Sequence, residues 1–485
     1  MTRRLAMALA MAAVCGGGPA AASPVLELAG GISGGGFNAR VVGTGPESAY
    51  FNPALLPLAP DSVDVSFFML GDDTRISVRD RPAGSDIAGS IYNAWLGDGQ
   101  GGIEPLDSSP LATGDLSPRQ GGRVAGGFRT YLAVGMSKHL IEDKLVVGLL
   151  LVVPTSKLQG QQAFYNDERE QYFSNSLHFE LLEDRLDLIT FAFALGSRLS
   201  DMISVGVGFT AGIETNARTP VYTPDGNDLG NVLLDSDVSV NFKLSPHFGV
   251  TAQPTDRVLL AASLHTPTEI TVSGRNELQV ANGINDVQEF QFTNGYEPME
   301  LTLGGAADIW RSLPARRAVQ AVMTTSYRTW SNYIDRHGDA PLDEWNDTFS
   351  VAMGGRYRTG ITTFYLDGAF VPSPVPAQTG RTNYVDNHRV SVTSGVRTVT
   401  RILGVDVKGG FQLQAHYLVP RSVTKRDDAA HPVVDEFPDN AVDPSVDPSA
   451  FLPEAQGLQT NNPGYPGYRS NGWILGAGIT LSADF

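Results

Sequence analysis

The sequence predicts an all-β fold, a 14-stranded antiparallel transmembrane β-barrel with an N-terminal plug inside its lumen. Three observations carry this expectation. The chain opens with an export leader, no later stretch approaches the roughly 20 continuous apolar residues of a spanning helix, and many segments alternate apolar with small or polar residues at period two. Glycine points the same way: 53 residues in 485, about 11 % against a usual value of about 7 %, many of them alternating with apolar residues. The expected organisation is a signal peptide at 1–22, a plug or hatch at 23–60, and the barrel with long extracellular loops at 61–485.

In the leader, Arg3 and Arg4 form the basic start, residues 5–14 the apolar run, and Ala20, Ala21 and Ala22 the small-residue cleavage site, giving a mature start at Ser23. The single cysteine, Cys15, falls inside it, and Val14 fits poorly before a lipidated cysteine, so no thiol or disulfide chemistry is expected afterwards. Removing Arg3 and Arg4 from 35 basic residues leaves 33 against 52 acidic ones, a balance of −19. Nucleic acid, which requires basic patches, is an unsuitable partner. The remaining classes are a soluble exported protein and an outer-membrane barrel.

Residues 43–54, Gly-Thr-Gly-Pro-Glu-Ser-Ala-Tyr-Phe-Asn-Pro-Ala, precede the first clear strand. Pro46 suits the first turn of a helix, Glu47 its positive end, and Thr44 or Gly45 its cap. Pro53 ends that helix and drives Asn52 towards extended backbone. With only hairpins downstream, this segment is expected to plug the hollow they enclose; an ordinary surface turn fits the same residues.

The candidate strands are 62–70, 128–140, 144–154, 186–198, 203–215, 235–253, 258–272, 300–310, 318–330, 348–358, 362–371, 389–398, 405–417 and 472–485. The last is the clearest: Trp473, Leu475, Ala477, Ile479, Leu481, Ala483 and Phe485 oppose Gly472, Gly476, Gly478, Thr480, Ser482 and Asp484. Small residues behind a lipid-facing row suit a crowded lumen, whereas a soluble sandwich would carry more Lys and Glu there. The connections alternate tight and long, which places tight turns and both termini on the periplasmic side. A terminal Phe485 fits the signal read by the barrel assembly machinery. The strand at 144–154 breaks the alternation, being apolar on both faces up to Pro154. Wetting several inward Leu and Val side chains would cost a few kcal/mol at roughly 25 cal/mol per Å². Either Val146, Leu150 and Val152, or Leu145, Val147, Leu149 and Leu151, therefore contact the plug or an apolar ligand. Pro154 donates nothing to the ladder, so a gap in the wall is expected beside it.

Chemistry-bearing motifs are few. Residues 31–35 fit Gly-x-Ser-x-Gly, but a nucleophile elbow needs a strand and helix of an α/β sheet. His139, His265 and His416 have no serine and acid at a recognisable spacing. No Cys/His cluster indicates a metal. Asp435, Asp439, Asp443 and Asp447 match no calcium loop, and a solvated loop is the favoured reading of 418–471. No catalytic residue, cofactor or metal is expected. For a ligand with a carboxylate, strand parity offers Arg328, Arg356, Arg358, Arg397 and Lys408 as inward cations, each expected to pair first with lumen acids such as Asp406 or Glu214.

Several motifs, taken in order, resemble the FadL-like family of outer-membrane channels. They are Asn52-Pro53-Ala54 followed by Leu55-Leu56; the apolar run 149–154 ending in Val-Pro; the hairpin at 248–274; and Ser373-Pro374-Val375-Pro376-Ala377-Gln378 followed by Val385-Asp386-Asn387-His388-Arg389. The resemblance spans residues 26–485. It implies a monomeric 14-stranded barrel, in contact with outer-membrane lipid and lipopolysaccharide, that takes up hydrophobic small molecules passively. Ligands would bind within and leave sideways beside a kinked third strand. Gly43, Gly45, Asn52, Pro53 and Ala54 would belong to the hatch, and Gly148, Leu149, Leu150, Leu151, Val152 and Pro154 to the lateral opening. Ser373, Pro374, Val375, Pro376, Ala377, Gln378, Asp386 and Arg389 would form the signature loop. Long-chain fatty acids are the first expected cargo and aromatic hydrocarbons the alternative; a lipid hydrolase or a general porin are rivals of other classes.

Overall fold

The computed structural model of the chain describes residues 23–43, 45–79, 127–156, 179–212, 215–224, 231–242, 244–280, 284–335, 340–341, 343–378, 383–402, 405–425 and 466–485. The leader, Thr44, Glu214 and Asp435–Asp447 of the acidic loop lie outside the described residues.

Alternation of period two forces a strand to show one row to each side of a sheet. Here that builds β1 (Ser62–Val78), β2 (Phe128–Ile141), β3 (Leu145–Pro154), β4 (Thr190–Arg198), β5 (Ile203–Gly212), β6 (Thr215–Pro224), β7 (Asn231–Phe242), β8 (Ser245–Thr255) and β9 (Val258–His265). It continues with β10 (Thr268–Val280), β11 (Ile284–Glu297), β12 (Glu300–Ser312), β13 (Arg317–Arg328), β14 (Thr348–Thr359), β15 (Thr362–Val371), β16 (Arg389–Ile402), β17 (Val405–Thr424) and β18 (Gly467–Asp484). Fourteen of these close a barrel in the order β1-β18-β17-β16-β15-β14-β13-β12-β9-β8-β5-β4-β3-β2, and the seam is sealed by β1 against β18 from Ser62↔Asp484 to Val78↔Tyr468. Outward rows such as Val63, Val65 and Phe67 on β1, or Leu475, Ile479 and Leu481 on β18, are exposed and apolar. A water-facing wall would not carry such a band; a lipid-facing one must. No described helix is long and apolar enough to cross a membrane. The chain is an outer-membrane β-barrel.

The sequence reading needs correction in four places. The segments 235–253 and 258–272 are not single strands, because each breaks into a sheet strand and a barrel strand: β7 and β8, then β9 and β10. The stretches 216–234 and 273–299, expected as loops, form much of a separate four-stranded sheet ordered β11-β10-β7-β6. Residues 183–186 form a 3-10 turn, so the strand expected from 186 starts at Thr190. β1, β17 and β18 run well past their expected outer ends.

Those extensions carry a change of polarity. On β1 the inward row is Ser62, Asp64 and Ser66 low down, then Phe68, Leu70, Ile76 and Val78, with Asp72 and Thr74 between. The outward row runs the other way, from Val63, Val65 and Phe67 to Asp73, Arg75 and Ser77. β18 mirrors it: Arg469 and Asn471 face out above Trp473, which pairs with Asp73, and apolar residues face out below. Trp473 lies against Tyr417 with centroids 4.6 Å apart, where an interfacial aromatic belt belongs. Above this level the barrel wall is polar outside, while Ile76 and Val78 continue an apolar inner row that Asp72 and Thr74 interrupt.

The N-terminal segment comprises α1 (Pro24–Ala29), α2 (Ala39–Val42), α3 (Ser48–Phe51) and a 3-10 helix, Pro53–Leu58, nearly all buried against inward-facing residues. Pro24 starts α1, and Gly30 ends it at φ 66°, backbone that suits glycine. Asn52 is extended at φ −163°, as the following proline demands, but Pro53 opens the 3-10 helix rather than an exit, with Ala54 N–H donating to Asn52 Oδ1 at 3.1 Å. Glu47 precedes α3 without capping it; its side chain accepts from Ser33 N–H instead.

Candidate functional site: an apolar interior beside a buried charge ring

The upper inward rows converge on one apolar cluster. Phe68, Leu70 and Ile76 of β1, Tyr131 of β2, Leu150 and Val152 of β3, Leu418 of β17 and Ile474 of β18 meet Leu26, Leu28 and Phe51 of the N-terminal segment. Phe179, Leu182, Leu186 and Val385 cover it from connecting segments. Phe68 and Tyr131 stack with centroids 4.6 Å apart, and the Tyr131 hydroxyl donates to Leu186 O.

Beside this cluster, charges are paired under the segment. Arg40 Nη2 donates to Glu27 Oε1 at 2.6 Å and to Glu300 Oε2 at 3.0 Å; Arg328 Nη2 donates to Glu27 Oε2 at 3.0 Å and to Glu300 Oε1 at 3.1 Å. Two acids thus alternate with two guanidiniums, joining α1 and α2 to β12 and β13. Burial opposes the charge on Arg40, but Glu27 and Glu300 outweigh it and hold its pKa above the ordinary value. Tyr50 hydroxyl adds a donor to Glu27 at 2.7 Å. A cavity of about 60 Å³ adjoins the ring, lined by Leu26, Leu28, Phe37, Phe51, Arg389 and His416 among others. At roughly 10–15 Å³ per water position it holds a few waters, so a longer ligand enters only if side chains part.

The inward row of β3 is Val146, Gly148, Leu150 and Val152; Leu149 and Leu151 of the expected opening face outward. Val146 packs on Ala49 and Leu56, so the apolar inner face meets the N-terminal segment. The ladder to β4 is unbroken from Leu145 to Val152 and stops there, whereas Val153 and Pro154 still pair with β2. Gly43 closes α2, and Asn52–Ala54 are buried; Gly45 approaches Asp64, and Asn52 Nδ2 donates to Arg40 O at 3.0 Å.

The signature loop folds over the outer end. Pro374 O accepts from Asn346 N–H, Pro376 O and Asp386 O accept from Arg421, and Gln378 Oε1 accepts from Tyr384 N–H. Val375 sits in an aromatic cluster with Trp330, Tyr333, Trp345 and Tyr384, Ser373 N–H reaches His388, and Ala377 is exposed.

The inward cations do pair with acids, but not with those expected. Arg328 joins the ring, Arg356 binds Asp367 and Gly35 O, Arg358 binds Asp308 at 2.6 Å, and Lys408 binds Asp484 at 2.5 Å. Arg397 lies beside Gly34 and in the field of Glu47. Asp406 is taken by Arg401 at 3.6 Å. Arg389, expected only as part of the signature, lines the cavity beside Arg40 and Arg328; its Nε, like that of Arg40, lacks a partner, and it forms no ion pair among the described residues, although the charge of Asp386 acts on it. Parity alone could have flagged it, since it opens a strand whose next inward residues are Ser391 and Thr393. A second correction concerns His416: Ser391 Oγ lies 2.8 Å from its Nδ1 across β16 and β17, although His416 Nε2 meets no acid. Ser33 belongs to the turn closed by the Gly31↔Gly36 bridge, not to a nucleophile elbow.

No protein-family model matches the chain, and no curated protein matches it. Among solved structures it is similar to a Pseudomonas aeruginosa FadL homologue at 15 % identity and TM-score 0.55, covering 97 % of this chain and 99 % of that one. It is also similar to the Ralstonia pickettii toluene transporter TbuX (14 % identity, TM-score 0.45, 96 % and 98 % covered) and the Pseudomonas putida toluene transporter TodX (13 %, 0.43, 96 % and 99 %). The fold is therefore that of a FadL homologue, as the ordered motifs of the sequence had indicated.

Proposed function

We propose that this chain is a passive outer-membrane channel for hydrophobic molecules, a member of the FadL-like group, with residues 23–60 acting as a plug. The observation that carries this reading is the inversion of polarity along β1 and β18. The apolar cluster in the upper interior reaches past the level where the outer wall turns polar, and it offers grease-soluble cargo a place to leave water. A general porin would instead line its bore with polar residues throughout.

The cargo favoured here carries an acid group, as a long-chain fatty acid does. Arg389 supplies a cation that forms no ion pair among the described residues, at the edge of the apolar cluster, and a charged hydrogen bond there is worth about 1.5–3 kcal/mol. Neutral aromatic hydrocarbons are the second reading, favoured by the stacked Phe68 and Tyr131 in the wall. Release goes sideways past Val153 and Pro154, where β3 has lost its pairing to β4. Mass spectrometry of lipids bound to the purified protein, followed by binding assays on Arg389→Met, tests the reading. The variant is expected to bind a fatty acid roughly 10–100-fold more weakly and a neutral hydrocarbon unchanged. Equal loss for both, or none for the acid, removes Arg389 from the site. Val152→Asp is expected to abolish uptake while the barrel still assembles; uptake at the normal rate would exclude the β3 exit.

A further inference from the structure

The seam between the N-terminal segment and β1 holds two buried carboxyl groups that the transport reading does not use. Glu47 and Asp64 are only 2 % and 4 % exposed. One oxygen of each is satisfied: Glu47 Oε2 accepts from Ser33 N–H at 2.9 Å, and Asp64 Oδ1 accepts from Ser482 Oγ at 2.5 Å. The other oxygen of each, Glu47 Oε1 and Asp64 Oδ2, is buried without a partner. Both residues line one cavity of about 10 Å³, whose remaining walls include Leu26, Ile32, Pro46 and Leu150 together with Ser33 and Ser66. That is room for about one water, and two carboxylates in an apolar pocket cannot both ionise cheaply.

We propose that Glu47 and Asp64 hold one proton between them, directly or through a single water, and that its loss to solvent loosens the N-terminal segment from β1. With the proton in place, the acid O–H at Glu47 is a donor for Asp64, and both orphan oxygens are satisfied. Without it, Glu47 brings a buried negative charge into the cavity that the two carboxyls share. A resident metal ion fits less well: calcium wants about six to eight oxygens, and the side chains lining this pocket offer only those of the two carboxyls and of Ser33 and Ser66.

The surroundings agree. Burial raises the Glu47 pKa to about 7 from 4.5; the bond from Ser33 opposes the shift and Asp64 adds to it. The other groups facing Glu47 are Arg397 of β16, whose field favours the charged form, and the Tyr365 hydroxyl of β15. The Arg356–Asp367 pair holds the adjacent 35–37 turn. The sign follows from proton counting. The docked segment binds the extra proton that a released Glu47, titrating near 4.5, would give up. Docking is therefore tightest below pH 4.5, weakens through the interval up to about 7, and is constant above it.

The inference rests on the plug reading but not on any cargo, so it is tested on the ligand-free, detergent-solubilised full-length barrel. Hydrogen exchange of peptides covering 31–51, corrected for the intrinsic pH dependence of exchange, should show protection falling on the order of a hundredfold between pH 4.5 and pH 8. Glu47→Gln, neutral at every pH, should keep high protection throughout. Asp64→Asn, which removes the like charge, should move the midpoint to lower pH; it decides the matter if Glu47→Gln does not reach the heat-resistant folded form. Equal wild-type protection at both pH values overturns the proposal, as does a pH response that survives in Glu47→Gln. Protection that follows sodium or calcium concentration at fixed pH would assign the pocket to a cation instead. Failure of cargo binding with the pH response intact would sink the transport reading alone.

Discussion

Against β3, β4, β5 and β8 the N-terminal segment is held by close backbone approach; against β12 and β13 the packing of Val41 on Ala306 and Val322 is joined by a ring of paired charges. On the first side, inward glycines make the fit. A Cβ at Gly148 would strike Leu56, one at Gly196 would strike Leu56 and Pro57, one at Gly206 would meet the Pro53–Ala54 backbone, and one at Gly249 would meet Asn52. His247 Nε2 and Ala49 O, 2.6 Å apart, add a polar tie. On the second side, the Glu27–Arg40–Glu300–Arg328 ring adds charge to the contact that Val41 makes. The two attachments differ in what can undo them. Packing of this kind has no competitor in solution, whereas a ring of paired charges can exchange partners with an incoming anion. If the segment moves during transport, the ring side is the one built to let go.

That contrast can be broken in order of size. Glu300→Gln leaves Arg40 and Arg328 short of a buried acid and should destabilise docking by about 3–5 kcal/mol. Replacing the whole ring by apolar residues of similar volume should cost much less. Denaturant melts of these two variants check both statements, and a loss that is the same for single and fourfold changes would show that the ring is not a unit. Gly206→Val pushes a side chain into backbone that cannot yield, so a loss of about 1–3 kcal/mol and a rise in ion conductance are expected. Gly409→Ala, with nothing within 4 Å of the new methyl, is the control. Asn52→Ala removes the 3-10 cap and the bond to Arg40 O that ties both sides together; about 1 kcal/mol is expected, read by exchange of the 53–58 amides.

The alternating strands were legible because a period-two pattern with glycine behind it admits few other uses, and all fourteen barrel strands fall within or beside expected segments. The four-stranded sheet was not. Residues 216–234 and 273–299 are polar and carry no lipid-facing row, so nothing separates them from loop until they pair with one another. Strand β3 was read as doubly apolar, but which row faces inward follows from its neighbours, β2 and β4, and parity alone left that open. The charge ring was missed for a related reason: Glu27, Arg40, Glu300 and Arg328 lie far apart in the chain, and no local rule links an acid on a short helix to one on β12.

The sequence by itself determined the wall: side-chain alternation, the glycines and the lipid-facing band are local properties that each strand carries alone. Only the tertiary structure decided what fills the wall. Which glycine receives Pro53, which acid each guanidinium meets, and which two carboxyls share a pocket all depend on how residues 23–60 pack against the closed barrel. Closure sets distances between positions that are hundreds of residues apart, and it is those distances, more than composition, that fix where a charge is paired and where it is free.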